Sequence, residues 1–324
     1  MMIKHKRTRY GQILILLLAV LLVGCGSSKK TAHSSNHQPT PVTDLKLSVG
    51  HSIDALPLYV AAQQGYFTAH HLNVTLMVQL NASERVSALQ KHQVDGAVVG
   101  VPELMSANST KAAGQIVSLT TNYVTIMTIN DEVTSLADLN GGRVGVVASS
   151  TAAYATTQLL DHAGLTDTVM IQNYANEAEL LAALNTGAVT AVSLPDPAAS
   201  QLRRNGARSI AQTKAGQANT ALVINQTMLV HHSDAMRQFM LAYNQAVRWL
   251  NSHPNSLDYQ MILTKKLGYP ATQVSALALP RFQTANAVSV QTIDEMHDWL
   301  AQTQPDLKLA PSAAYRSPLL APKK

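Results

Sequence analysis

Polar and apolar positions change rhythm along this chain in a repeating way. Leu45-Lys-Leu-Ser-Val49 alternates with a period of two, the pattern of a strand. After the loop Gly50-His51-Ser52-Ile53-Asp54-Ala55, Pro57 suits the first turn of a helix that runs through Gln64 and stops at Gly65. Residues 73–80 predict a second strand, and Asn81-Ala-Ser-Glu84 has capping-box spacing for a helix to about Lys91. Residues 94–99 predict a third strand, and Pro102 opens another helix. The first third therefore reads β-α-β-α-β-α, which predicts a parallel sheet covered by helices on both faces.

The middle third repeats the scheme. Residues 116–129 form one long β-rich run, and Leu136-Ala-Asp-Leu-Asn-Gly-Gly142 is a short helix and turn. Val144-Gly-Val-Val147 is a short buried strand, after which Ser149, Ser150 and Thr151 open a helix that stops at Gly164. Strands at 168–172 and 189–194 flank a helix at 177–185, and Pro195-Asp196-Pro197 breaks the last strand. This second set predicts a second, similar sheet. A strand at 220–225 follows, then helices at 234–252, 257–267 and 290–303. The first of these helices carries Met236, Phe239, Met240, Tyr243, Val247 and Leu250 at helical spacing, a stripe that reads as core.

The N-terminus has its own chemistry. Lys4, Lys6, Arg7 and Arg9 precede an apolar run at 13–23, as in a secretory signal peptide. That run falls short of the ~20 apolar residues a membrane-spanning helix needs. Leu22-Val23-Gly24-Cys25 closes it and resembles a bacterial lipobox, with Cys25 as the lipidated residue. Cys25 is the only cysteine, which excludes an internal disulfide or a catalytic thiol elsewhere. Residues 26–42 are polar, with Ser and Pro throughout, and read as a tether. The formal charge of +5 is carried by this signal segment and by lysines in the tails, so the body is slightly acidic. Nucleic acid is not an expected partner. The remaining roughly 280 residues exceed what one core usually supports, so two lobes are expected.

Ligands of parallel sheets sit beyond the carboxyl ends of the strands. In the first lobe that rule selects His51, Ser52, Asp54 and Leu56, then Asn81 and Ser83, then Val101, Pro102 and Glu103. In the second it selects Ser149, Ser150 and Thr151, then Asn173 and Tyr174, then Pro195 and Asp196; Tyr123 lies near the link between lobes. Several have a second reading. Asp54 and Asn81 suit helix caps, Glu103 suits a helix first turn on electrostatic grounds, and Ser149–Thr151 suits an ordinary N-cap. The hydroxylated helix start favours a sulfonate, carboxylate or phosphate, and His51 a donation to an anion, whereas Asp54, Glu103 and Asp196 suit an amine or pyrimidine. No arginine falls on the predicted cleft loops. HExxH, P-loop and G-x-S-x-G motifs are absent, and the twelve histidines are scattered without a zinc spacing.

Five blocks in order resemble one family. They are Leu56-Pro57-Leu58-Tyr59-Val60-Ala61 through Gly65-Tyr66-Phe67 with Leu72-Asn73-Val74; Val94-Asp95-Gly96-Ala97-Val98-Val99-Gly100; Leu136-Ala137-Asp138-Leu139-Asn140-Gly141-Gly142-Arg143-Val144; Ser149-Ser150-Thr151; and Leu194-Pro195-Asp196-Pro197. Together they resemble the sulfonate, taurine, nitrate and thiamine-precursor binding proteins of ABC importers. Ala148, Asn81-Ala82 and His70-His71 depart from the pattern. The resemblance implies an α/β periplasmic-binding-protein-like fold of type II, two lobes joined by two crossing strands with a ligand cleft between. It places a signal peptide at 1–24, lipidated Cys25 and tether at 25–43, lobe 1 at 44–125 plus 222–320, and lobe 2 at 126–221. It implies an extracytoplasmic, lipid-anchored protein that captures a small organic solute without catalysis, cofactor or metal. The implied partners are a permease, its ATPase and the membrane. A ligand sensor and a thiamine-pyrimidine synthase of the same fold are the alternatives; the single exported Cys argues against the enzyme.

Overall fold

The computed structural model describes residues 41–320 apart from Asn108, Ser109, Ala218, Asn255, Ser275, Ala276 and Ala278. The signal segment, Cys25 and nearly all of the tether lie outside the described residues. The strands are β1 (Thr43–Val49), β2 (Leu72–Val78), β3 (Gly96–Gly100), β4 (Gln115–Leu119), β5 (Val124–Thr128), β6 (Arg143–Val147), β7 (Met170–Tyr174), β8 (Ala191–Pro195), β9 (Arg208–Gln212) and β10 (Thr220–Ile224). The helices are α1 (Leu56–Gln63), α2 (Tyr66–Ala69), α3 (Ala82–Gln90), α4 (Val101–Met105), α5 (Thr151–His162), α6 (Glu177–Asn185), α7 (Ala198–Arg204), α8 (Gln226–His231), α9 (Ser233–Ser252), α10 (Leu257–Lys265), α11 (Ala271–Val274) and α12 (Val290–Thr303).

Two five-stranded sheets form, ordered β2-β1-β3-β10-β4 and β7-β6-β8-β5-β9. Each has four strands running in one direction and one antiparallel strand in the fourth place. That fourth strand is exchanged: β5 leaves the first half of the chain to join the second sheet, and β10 returns to the first. The links are short, Thr120–Tyr123 outward and residues 213–219 back. Every residue of β3, β5 and β10 is buried, the continuous apolar reading of a strand covered on both faces.

The run at 116–129, which reads as one element, is two strands in two sheets. Thr120-Thr121-Asn122-Tyr123 divides it, and their polar groups are committed to the link. Asn122 Oδ1 accepts from the Tyr123 N–H at 2.8 Å, and the Thr120 hydroxyl meets that of Thr220 at 2.7 Å. Strand β9 was not legible, because Arg208 and Ser209 are both exposed at a sheet edge and show no alternation. The capping box expected at Asn81 does not form. The Asn81 amide donates to Glu84 Oε1 at 3.1 Å and caps no backbone N–H. A true capping box stands instead at Ser135 and Asp138.

Candidate functional site

The strand tips of both sheets open onto a cavity of about 420 Å³. Of the residues selected from sequence, His51, Ser52, Asp54, Glu103, Thr151, Pro195 and Asp196 line it. The others sit elsewhere. Leu56 and Pro102 are buried in the first turns of α1 and α4, and Asn81 is exposed beside Glu84. Tyr174 packs against the core of the second sheet, where its ring approaches Gly145. Ser149, with φ of +53°, faces a separate hollow alongside Asn173 and Trp299. Ser150 is the N-cap of α5: its hydroxyl donates to Val147 O at 2.6 Å and accepts from the Ala153 N–H at 3.1 Å. Tyr123 reaches the site indirectly, through a hydrogen bond from its phenol to Asp196; burial and that carboxylate together push the phenol up.

Asp54 is the most enclosed acid of the first half, only 3% exposed. The Ser52 hydroxyl donates to it, as do Thr220 and, at 3.4 Å, the Asn122 amide. Burial raises its carboxyl above the usual range, against the pull of these donors and of Arg85. Asp196 is equally buried, and its Oδ1 accepts from the Ser200 N–H in the first turn of α7 at 2.9 Å. The hydroxyls of Tyr243 and Tyr269 are buried and, among the described residues, without a hydrogen-bond partner. Burial pushes both phenols up, and the charge of Asp54 adds to this in each.

Glu103 joins the two halves. From α4 it reaches the start of α5, where Oε1 accepts from the Thr151 N–H at 2.9 Å and Oε2 from the Thr151 hydroxyl at 2.8 Å. Burial pushes this carboxyl up while the Thr151 donors hold it down. Gly100 makes the seat possible: a Cβ there would lie 1.8 Å from Oε2 and 1.9 Å from the Thr151 hydroxyl.

No arginine falls on the predicted cleft loops, yet Arg85 and Arg204 both line the cavity from helices α3 and α7. Arg85 lies one turn inside α3 rather than on a strand-tip loop, which is why a rule confined to loops passed over it. Its Nε donates to Val98 O at 2.9 Å and its Nη1 to Gln79 O and Leu80 O at 2.7 and 2.9 Å. Burial lowers its guanidinium, opposed by Asp54, Glu103 and Glu84. Glu177, Gln201 and Asn122 complete the polar wall. The segment Leu267, Gly268 and Pro270, from the helical C-terminal third, closes one side near His51. The one signal that pointed to Asn122 was the polar break in an otherwise β-rich run. Among the described residues no group of three or more His, Cys, Asp or Glu is placed to hold a metal ion, and no helix is long and apolar enough to cross a membrane.

A family model described as NMT1/THI5 like matches residues 52–257. Curated protein sequences give no match. Among solved structures, the alkanesulfonate-binding protein SsuA from Xanthomonas axonopodis pv. citri, bound to MOPS, is similar at 19% identity and a TM-score of 0.64, over 85% of this chain and 98% of that one. The periplasmic aliphatic sulphonate binding protein SsuA from Escherichia coli is similar at 16% identity and a TM-score of 0.67, over 87% and 99%. The periplasmic nitrate-binding protein NrtA from Synechocystis PCC 6803 is similar at 17% identity and a TM-score of 0.58, over 71% and 68%. At these identities the shared property is the fold, two exchanged-strand α/β halves in the periplasmic-binding-protein arrangement.

Proposed function

The chain belongs to the NMT1/THI5-like family, and from that premise we propose that it is the solute-capturing component of an ABC importer, held on the outer face of the membrane by lipid on Cys25. The observation that carries this reading is the convergence of buried polar groups from both sheets on one cavity. Asp54 and Asn122 come from the first half and its link, Thr151 and Asp196 from the second. A solute touching both walls stabilises the closed arrangement by its differential affinity for closed over open. The lobes that close are 44–125 with 222–320 and 126–221, turning about the two short links. A permease then reads the closed shape, and no bond in the solute is made or broken. The named binders of alkanesulfonate and nitrate support a small organic or inorganic solute rather than a macromolecule.

The experiment is a thermal-shift panel on protein lacking residues 1–25, with alkanesulfonates, taurine, nitrate, pyrimidine thiamine precursors and riboflavin. One class is expected to raise the melting temperature with concentration, since a ligand at 100 times its Kd adds about 2.7 kcal/mol of stability. Silence across the panel from a folded protein would remove solute capture of these classes. The anchor is tested apart from the solute. Cys25→Ser in the full chain is expected to move the protein from the membrane to the soluble fraction and to abolish labelling by a radioactive fatty acid; retention on the membrane would overturn the lipid reading. Two or more acyl chains give lasting attachment where one does not.

A further inference from the structure

Solute capture leaves the charge of the solute open, and the contact between α4 and α5 bears on it. We propose that Glu103 sets the specificity of the cleft: its carboxylate takes the seat that an anionic head group would use, so sulfonates, phosphates and carboxylates are refused and a solute presenting N–H donors is accepted. This rests on the solute-capture reading and names the class of ligand for the same site.

A helix start facing a ligand cavity offers free N–H groups and the positive end of the helix dipole. In α5 the Thr151 and Ala153 donors are spent inside the protein. Both oxygens of Glu103 are engaged by the Thr151 N–H and hydroxyl, and the Ala153 N–H is engaged by Ser150. The two contacts to Thr151 form a two-oxygen grip, the same pattern an incoming sulfonate would need. Glycine at position 100 leaves the volume in which this side chain lies, so the arrangement depends on two positions at once.

The remaining charges do not restore an anion site. Arg85 acts electrostatically on both Asp54 and Glu103, yet its Nε and Nη1 hydrogens go to three backbone carbonyls, and its charge is shared among Asp54, Glu103 and Glu84. Arg204 stands exposed at the rim. Against them the wall carries Asp54, Glu103, Glu177 and Asp196. A ligand anion would meet like charge in a partly desolvated space, where repulsion is stronger than in water. A ligand amine, amidine or protonated ring nitrogen would meet the buried acceptor Asp54.

The test uses methanesulfonate at low millimolar concentration, with sodium chloride at matched ionic strength as control, read by calorimetry and thermal shift. The wild type is expected to show no binding beyond the chloride control. Glu103→Ala uncovers the Thr151 donors and is expected to bind methanesulfonate at least roughly 10-fold more tightly than the weakest affinity the assay detects, the scale of a charge-assisted hydrogen bond. Thr151→Val added to Glu103→Ala should abolish the gain. Glu103→Gln keeps the seat filled and is expected to stay blind to the probe. Clear methanesulfonate binding by the wild type would overturn the assignment, and so would a folded Glu103→Ala that gains nothing. If Glu103→Ala does not fold, Glu103→Ser is read by the same criteria. These outcomes are separate from the fate of solute capture. A panel hit without the anion gain removes only the role of Glu103, and the gain with a silent panel keeps Glu103 in the anion seat while removing capture of the solute classes on the panel.

Discussion

Phe239→Ala is expected to destabilise the protein by about 3–5 kcal/mol, the usual cost of deleting a buried aromatic ring and leaving a cavity. Phe239 is fully buried on α9, and its ring stacks on Phe67 of α2 with centroids 5.4 Å apart and planes 5° from parallel. The stripe of Met236, Met240, Tyr243, Ala246, Val247 and Leu250 continues the same buried face, which packs across α1 and α2 against the first sheet. The consequence reaches the cavity. Tyr243 lies one turn beyond Phe239, and its hydroxyl feels the charge of Asp54, so a helix that loses its grip on Phe67 also loosens the floor under that acid. Chemical denaturation is the measurement, with a fall in melting temperature of roughly 10 °C alongside it. A loss below about 1 kcal/mol would mean that the sheet, rather than the ring pair, docks the helix.

That stripe was legible because large apolar residues at helical spacing fall on one face of a helix, and a face so apolar has to be buried. The strand tips were legible for a similar reason: alternating β and α segments leave the ligand side of a sheet to the loops after each strand. The misses share a different cause. Side-chain reach, not chain position, decides which groups enter the cavity. Arg85 enters from inside a helix, while Ser149, although on a strand tip, is turned away by a left-handed backbone. The Ser-Ser-Thr start of α5 shows how one pattern divides its labour. Ser150 caps the helix, Thr151 holds Glu103, and Ser149 faces another hollow. A partner 48 positions away cannot be read from the helix start itself, so the filled seat emerged only from the fold. Exchange of β5 and β10 between sheets was equally hidden locally, since a strand's own residues do not specify which of two similar sheets it joins.

Asp54→Asn is expected to separate stability from capture. Burial raises the Asp54 carboxyl in the folded protein above its value near 3.9 in an unfolded chain. A raised folded value means that the fold holds this proton more tightly than the open chain does. The stability linked to it is therefore complete below about pH 4 and is lost as the pH climbs through the folded value. Asparagine has no proton to lose and keeps an oxygen for the Ser52 hydroxyl, so the loss disappears. The variant should match the wild type in acid and exceed it at neutral pH, which denaturation curves at intervals from pH 3 to 8 would display. Its affinity for whichever solute the panel identifies should fall roughly 100-fold or more, because a buried carboxyl acceptor has been removed from a donor that must still be desolvated. A variant less stable than wild type at pH 7 would make the carboxylate an anchor for Ser52, Asn122 and Thr220 instead. Unchanged affinity would place the solute away from Asp54. The expected pair of results, a firmer protein that no longer captures, would mean that this acid is kept in a dry wall for the sake of the ligand rather than the fold.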